Sequence, residues 1–252
     1  MRKLVAAIAC RNNGSRLYGK PLQNLDIENG ISVLDNIIDC LKQSSTIDEI
    51  VLGIAEGIDN DVYEEYASSK NISNIRGNEN NVLSRLIKCG VHSGATDIFR
   101  LTSESPFPYF ELFSQLWAKH LIDDNDATFL DDIIDGCGYQ IISMDALRSS
   151  HEFGSERHRS ELISQYIREN SKKYKIGYLT PPSKFIRKDI RLTVDYPEDL
   201  ILCRAVYENF RDLAPNIPLN NIVEYLDDNP QLIKLTLPFC DDGYKKMYLK
   251  FT

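Results

Sequence analysis

The residues best suited to chemistry form one run near the start of the chain: Arg11-Asn12-Asn13-Gly14-Ser15-Arg16-Leu17-Tyr18-Gly19-Lys20-Pro21. Three cations and two glycines follow directly on the apolar stretch 4–9. Glycine lets a backbone approach an anion closely, and the cations neutralise its charge. The run therefore reads as a cradle for a phosphate-like anion, set against the blander reading of a solvated basic turn. Gly14 to Lys20 has the G-x-x-x-x-G-K spacing of a P-loop, but Pro21 stands where that loop needs a hydroxyl for magnesium. Arg16 and Tyr18 inside the run are also foreign to a P-loop.

A second group is acidic. Glu104 sits in Thr102-Ser103-Glu104-Ser105-Pro106, and Asp195 in Arg191-Leu192-Thr193-Val194-Asp195-Tyr196-Pro197. Both fall just past expected strands, where two carboxylates can converge on one Mg²⁺, a cation that prefers oxygen ligands. Asp195 suits an N-cap before Pro197 equally well. Glu198 and Asp199 read as first-turn residues complementing the helix dipole. A third group, Ser155-Glu156-Arg157-His158-Arg159, could meet an anionic substrate through Arg157 or simply form an exposed helix face. His158 is a weaker candidate for acid–base work.

Holding these groups takes alternating strands and helices. Residues 4–9 read as a parallel strand buried on both faces. Further strands are expected over 49–55, 97–101, 127–130, 139–143, 175–179 and 190–194. Helices are expected from Ser32, with Asp35 completing a capping box, and over 59–69, 82–92, 109–121, 156–169, 197–209 and 219–226. Pro197 suits a first helical turn. Repeated βα units imply an α/β fold, a mostly parallel sheet with helices on both faces. Ligands on such sheets sit beyond the carboxyl ends of the strands, where loops 11–20 and 102–106 fall. A single domain over 1–252 is the simplest division, with 131–183 as a substrate-covering or dimerising lobe.

The bulk properties narrow the partners. The chain has 252 residues, 42% hydrophobic and 26% charged, enough for a sizeable core. A net charge of −8 argues against nucleic acid, which needs a basic surface, but not against a small anion. No stretch approaches the roughly 20 apolar residues of a membrane span. Arg2, Lys3 and the run 4–10 mimic a secretion signal, but the run is short and polar residues follow at once. The six cysteines include no C-x-x-C pair, so core positions in a reducing cytoplasm are expected rather than zinc or disulfides.

Several stretches taken together resemble one family. Residues 5–11 with 15–22 are similar to A-R-x-x-S-x-R-L-P-G-K-x-L, the signature of the cytidylyltransferases related to CMP-3-deoxy-manno-octulosonate and CMP-sialate synthetases. Arg76-Gly77-Asn78 with Val82, Leu83 and Arg85 resembles R-G-x-x-x-x-V-L-x-R; residues 100–106 resemble R-x-T-G-D-x-P; 155–158 resemble S-E-R-E-H; and 191–200 resemble R-L-T-V-D-x-P-E-D-L. The branch resembled most is that of the spore-coat polysaccharide nucleotidyltransferases. The likeness runs across nearly the whole chain.

The resemblance implies a glycosyltransferase-A-type nucleotide-binding fold, often dimeric, that transfers a nucleotidyl group, most often CMP from CTP, to a sugar, sugar acid or small phosphorylated acceptor, and releases pyrophosphate. It implies that Arg11, Asn13, Gly14, Ser15, Arg16, Lys20 and Arg76 bind the nucleotide. Arg11, Lys20 and Arg157 would be the catalytic cations, and Glu104 and Asp195 would bind Mg²⁺. A cytoplasmic homodimer is expected. The departures are Tyr18 for proline, Ser103 for glycine and Glu104 for aspartate; His158 also comes one residue early. The family's D-G-x-D-x-E reads Asp135-Gly136-Cys137-Gly138-Tyr139-Gln140, which implies an altered acceptor site. Two other readings stay open. One is a nucleotide binder without turnover. The other is a glycosyltransferase of the same general fold, whose D-x-D motif is matched only by Asp124-Asn125-Asp126, a turn in a charged run.

Overall fold

Residues 4–10, LVAAIAC, carry no charge, and they form the central strand of the protein. The computed structural model describes residues 2–14 and 16–247, the last seven as backbone only. Its strands are β1 (Leu4–Cys10), β2 (Asn24–Asp26), β3 (Ile31–Ser32), β4 (Glu49–Ala55), β5 (Ser73–Gly77), β6 (Asp97–Arg100), β7 (Ala127–Phe129), β8 (Gln140–Ser143) and β9 (Ile176–Tyr178). Its α-helices are α1 (Val33–Lys42), α2 (Val62–Ser69), α3 (Val82–Ser93), α4 (Phe113–Ile122), α5 (Met144–Phe153), α6 (Gln165–Glu169), α7 (Pro197–Asn209), α8 (Leu219–Asp228) and α9 (Pro230–Met247). Among the described residues the sheet runs β5-β4-β1-β6-β8-β7-β9. Only β8 lies antiparallel to its neighbours in it. The expected mostly parallel sheet is therefore present.

Side-chain alternation along the strands divides the core in two. Leu4, Ala6 and Ile8 of β1 join Leu52, Ile54 and Phe99 under α1, α4, α7 and α8. Val5 and Ala7 join Val51 and Ile98 under α3, α5 and α6. Each fully buried aliphatic side chain contributes about 2 kcal/mol. Helix α1 begins at the expected capping box: Asp35 N–H donates to Ser32 Oγ at 3.0 Å, and Ser32 N–H donates to Asp35 Oδ2 at 2.8 Å. At α7 the N-terminus is capped differently from expectation. Asp199, not Asp195, accepts the N–H groups of Asp195 and Tyr196, both at 3.0 Å, which leaves the Asp195 carboxylate free for other work.

Two expectations are corrected. Residues 156–169 are not one helix but a 3-10 turn, Glu156–Arg159, and the short α6. Serines interrupt it, and Ser160 Oγ donates to the Arg157 carbonyl at 3.0 Å, a local bond that competes with helix continuation. Residues 190–194 form no strand but one bridge, Asp135 to Arg191. Leu192 N–H donates to Asp135 while Val194 N–H donates to Glu104, so the segment stitches two loops instead of extending the sheet. Strand β5, the β2–β3 hairpin and helices α5 and α9 were not anticipated. Helix α9 contains Pro238, normally a helix breaker. Within 131–183, β8 and β9 belong to the main sheet.

Asp97, at the start of β6, is fully buried at the sheet edge opposite the carboxyl ends. Arg2 Nε donates to its carboxylate at 2.8 Å, Thr96 Oγ1 at 2.7 Å, and His120 Nε2 lies 3.0 Å away. Burial pushes its pKa up, but these hydrogen bonds outweigh burial and hold it at about 2, against 3.8 for a free aspartate. A depressed carboxylate pKa stabilises the fold above the unfolded value and loses that contribution as pH falls through the folded one. Stability in urea is therefore expected to lose about 2 kcal/mol between roughly pH 4 and 2. An Asp97→Asn profile falling in parallel with the wild type across that window would contradict this.

Candidate active site

A cavity of about 390 Å³ opens where the chain leaves β1, β6 and β7. Antiparallel β8 brings its first residue, Gln140, to the same edge. The loop after β1 closes on itself: Gly19 N–H donates to the Asn12 carbonyl at 2.9 Å. Gly19 has φ +59°, a left-handed conformation that suits glycine. A Cβ on Gly14 would collide with the Leu17 carbonyl, so the turn is too tight for a side chain there. Tyr63 Oη donates to the Arg11 carbonyl at 3.2 Å, and Asn12 N–H to Asn60 Oδ1 at 2.8 Å, anchoring the loop to α2 and the turn before it. Lys20 begins a 3-10 turn, Lys20–Leu22, rather than the helix of a P-loop. The exclusion based on Pro21 therefore holds.

The cations of this loop meet acids from across the cavity. Lys20 Nζ donates to Asp195 Oδ1 at 2.6 Å, Arg16 to the same oxygen at 3.1 Å, and Arg191 to Oδ2 at 3.1 Å. Burial pushes the Asp195 pKa up, but Lys20, Arg16 and Arg191 more than reverse it. Arg11 pairs with Glu161 Oε1 at 2.5 Å, and Arg100 donates to the Glu161 carbonyl at 3.1 Å. Glu104 is joined to the Asp195 segment through the Val194 N–H, which donates to the Glu104 carbonyl at 2.8 Å. Its pKa is raised by burial and by Asp195, against the pull of Lys20 and Arg100.

Two buried arginines brace the floor. Arg85, 1% exposed, donates to the Gly53 carbonyl at 2.8 Å and the Cys10 carbonyl at 3.1 Å, tying α3 to β4 and β1 under the loop. Burial lowers its pKa. Arg191, 2% exposed, donates to Asp135 at 2.8 Å and to Asp199 at 3.2 Å as well as to Asp195. Burial opposes its charge, but the three aspartates raise its pKa overall. The arrangement can bind an anion with several phosphates: the loop cations, paired with cavity acids, can turn to such a ligand.

No protein-family model matches the chain. It is 26% identical over 235 residues to the spore coat polysaccharide biosynthesis protein SpsF of Bacillus subtilis, covering 91% of this chain and 96% of that protein. A cytidylyltransferase from Leptospira borgpetersenii superposes with a TM-score of 0.82 at 21% identity, covering 92% of this chain and 97% of that one. The chain has the cytidylyltransferase fold. CMP:2-keto-3-deoxy-manno-octonic acid synthetase, in a complex with CTP, shares that fold with a TM-score of 0.60 at 14% identity, covering 82% of this chain and 99% of that one.

Within this cytidylyltransferase fold, Arg11, Asn13, Gly14, Arg16, Lys20, Glu104 and Asp195 all line the cavity. Ser15 lies outside the described residues. Arg76 and Arg157 are not brought to it. Arg76 lies on the edge strand β5, its guanidinium held by Glu64 and Asp61 and by the Gly57 carbonyl at 3.1 Å. Arg157 points to solvent and pairs with Glu169 at 2.8 Å. His158 is buried and structural: its Nδ1 accepts the Ser155 N–H at 2.8 Å and its Nε2 lies 2.9 Å from Glu169. Sequence reasoning did not single out Glu161, Tyr196 or Phe239 as cavity residues. Arg85 had a signal, being a cation on the apolar face that Val82, Leu86 and Cys89 give to α3.

Proposed function

We propose that the protein is a cytidylyltransferase that transfers CMP from CTP to a sugar-type acceptor in surface polysaccharide biosynthesis, with release of pyrophosphate and a requirement for Mg²⁺. One observation carries the reading: Arg11, Arg16 and Lys20 on a tight glycine loop face Asp195 and Glu104 across a single cavity. The fold shared with cytidylyltransferases and the similarity to SpsF support the nucleotide and the acceptor class. In the reaction an acceptor oxygen attacks the α-phosphorus as the bond to pyrophosphate breaks. Lys20 and Arg16 would leave Asp195 for the phosphates, and Arg11 would leave Glu161. They bind the triphosphate and neutralise charge as it develops on the departing pyrophosphate.

The donor set fits a hard divalent cation. Among the described residues no group of three or more potential ligands forms. Magnesium at phosphate sites commonly uses one or two carboxylates and completes its shell with water and phosphate oxygens. Glu104 and Asp195 are such a pair: burial first, and Asp195 second, raise the Glu104 pKa, and a bound cation would favour its charged form. When bound, the ion would supply further neutralisation of the phosphate oxygens. The same reading has the protein acting in the cytoplasm as a homodimer, which light scattering at twice the chain mass would support. No helix among the described residues is long and apolar enough to cross a membrane.

The test is pyrophosphate release from each of the four ribonucleoside triphosphates, with a panel of sugar and sugar-acid acceptors. CTP with magnesium is expected to give product, and chelation of the metal to abolish it. Release of pyrophosphate from another triphosphate in preference to CTP would overturn the nucleotide assignment. CTP binding without release from any acceptor would favour the nucleotide binder that lacks turnover.

A further inference from the structure

We propose that Phe239, on α9, is a positioning residue for the reaction, a role that rests on the function proposed above. Its ring lies parallel to that of Tyr196, with centroids 3.9 Å apart and planes at 14°. Its backbone carbonyl accepts a hydrogen bond from Arg191 Nη1 at 3.2 Å. Asp195 is therefore held through two residues of its own segment, Tyr196 by the ring and Arg191 by the carbonyl. Tyr196 passes the constraint to the phosphate loop. Arg16 donates to its hydroxyl at 3.2 Å, and the Arg16 guanidinium lies over its ring at 4.7 Å. Arg16 in turn reaches Asp195 Oδ1 at 3.1 Å.

Geometry makes this more than packing. Phe239 lines the cavity itself. Thr236 and Cys240, one turn before it and next to it, are buried and fix how far along α9 the ring is presented. If Tyr196 slides, the loop cation and the carboxylate move together, and displacements of about 1 Å are enough to cost a reaction of this kind about a hundredfold.

The experiment uses the full chain with CTP, magnesium and a productive acceptor. Phe239→Leu keeps apolar bulk and removes the ring; Phe239→Tyr keeps the ring. Phe239→Leu is expected to lower kcat by about tenfold or more, with the KM for CTP changed far less. Phe239→Tyr is expected to restore kcat to within about threefold of wild type. Wild-type kcat in Phe239→Leu overturns the proposal, as does a Phe239→Tyr protein equally impaired. Should Phe239→Leu fail to fold, Tyr196→Leu removes the other ring of the stack and must show the same loss of kcat; wild-type kcat there also overturns it. A wild-type protein that releases no pyrophosphate from CTP overturns the proposed function itself, and this role falls with it. An active wild type with an unaffected Phe239→Leu overturns this role alone.

Discussion

Asp195→Asn is expected to cut turnover by about 10²- to 10³-fold while metal-free CTP binding stays at least as tight as in the wild type. The Asp195 carboxylate is the meeting point of Lys20, Arg16 and Arg191. Asparagine keeps the shape and loses the charge. One of the two acids proposed for the metal is then gone, which strikes the transition state rather than ground-state binding. Lys20 and Arg16 lose a competing partner, so they meet the triphosphate with less to break. Calorimetry without metal and pyrophosphate release with metal separate the two effects. A kcat within tenfold of wild type would remove Asp195 from the metal role, and wild-type activity throughout would make its contacts purely structural.

Arg191→Leu is expected to give the largest loss of stability. Its guanidinium is 2% exposed and serves Asp135, Asp195 and Asp199, the last fully buried. Leucine leaves Asp135 and Asp199 without their guanidinium, while Asp195 keeps Lys20 and Arg16. Removing one partner of a buried ion pair typically costs about 3–5 kcal/mol, because the other charge stays buried and uncompensated. For a chain of this size that is roughly a 10 °C fall in Tm. Lysine is not expected to rescue it, since one ammonium cannot reproduce a planar fork shared among several carboxylates. A Tm within about 3 °C of wild type for Arg191→Leu would refute the account.

The parts of the fold that were legible in the sequence are those with strong local signals. The apolar run of β1, the Ser32–Asp35 box and Pro197 each announce their element, and β4 and α7 begin and end where the pattern sets them. That the loop from Arg11 to Lys20 lines the candidate site was legible because its cations and glycines are contiguous. What was missed depends on contacts distant in sequence. Glu161 reaches Arg11 from 150 residues away. Phe239 meets the site from a helix whose pattern Pro238 interrupts. Residues 190–194 look like a strand because they alternate, yet their N–H groups find loop carbonyls rather than a neighbouring strand. The choice between metal ligand and helix cap at Asp195 could not be made from spacing. The structure answers the cap alone: Asp199 takes it.

The contacts of Phe239 also set an order of assembly. Chains are synthesised from the N-terminus at roughly 5–20 residues per second, so the phosphate loop exists roughly 10–45 s before Phe239 is made. Until then Tyr196 lacks its stacking partner and Arg191 lacks one of its acceptors. The nascent chain can complete its central strands while the ligand cavity still lacks one wall. On the role proposed for Phe239, completion of the site waits on the docking of α9, and a chain stopped ahead of that helix would carry every loop cation while Tyr196, the partner of Arg16, lacks its stack.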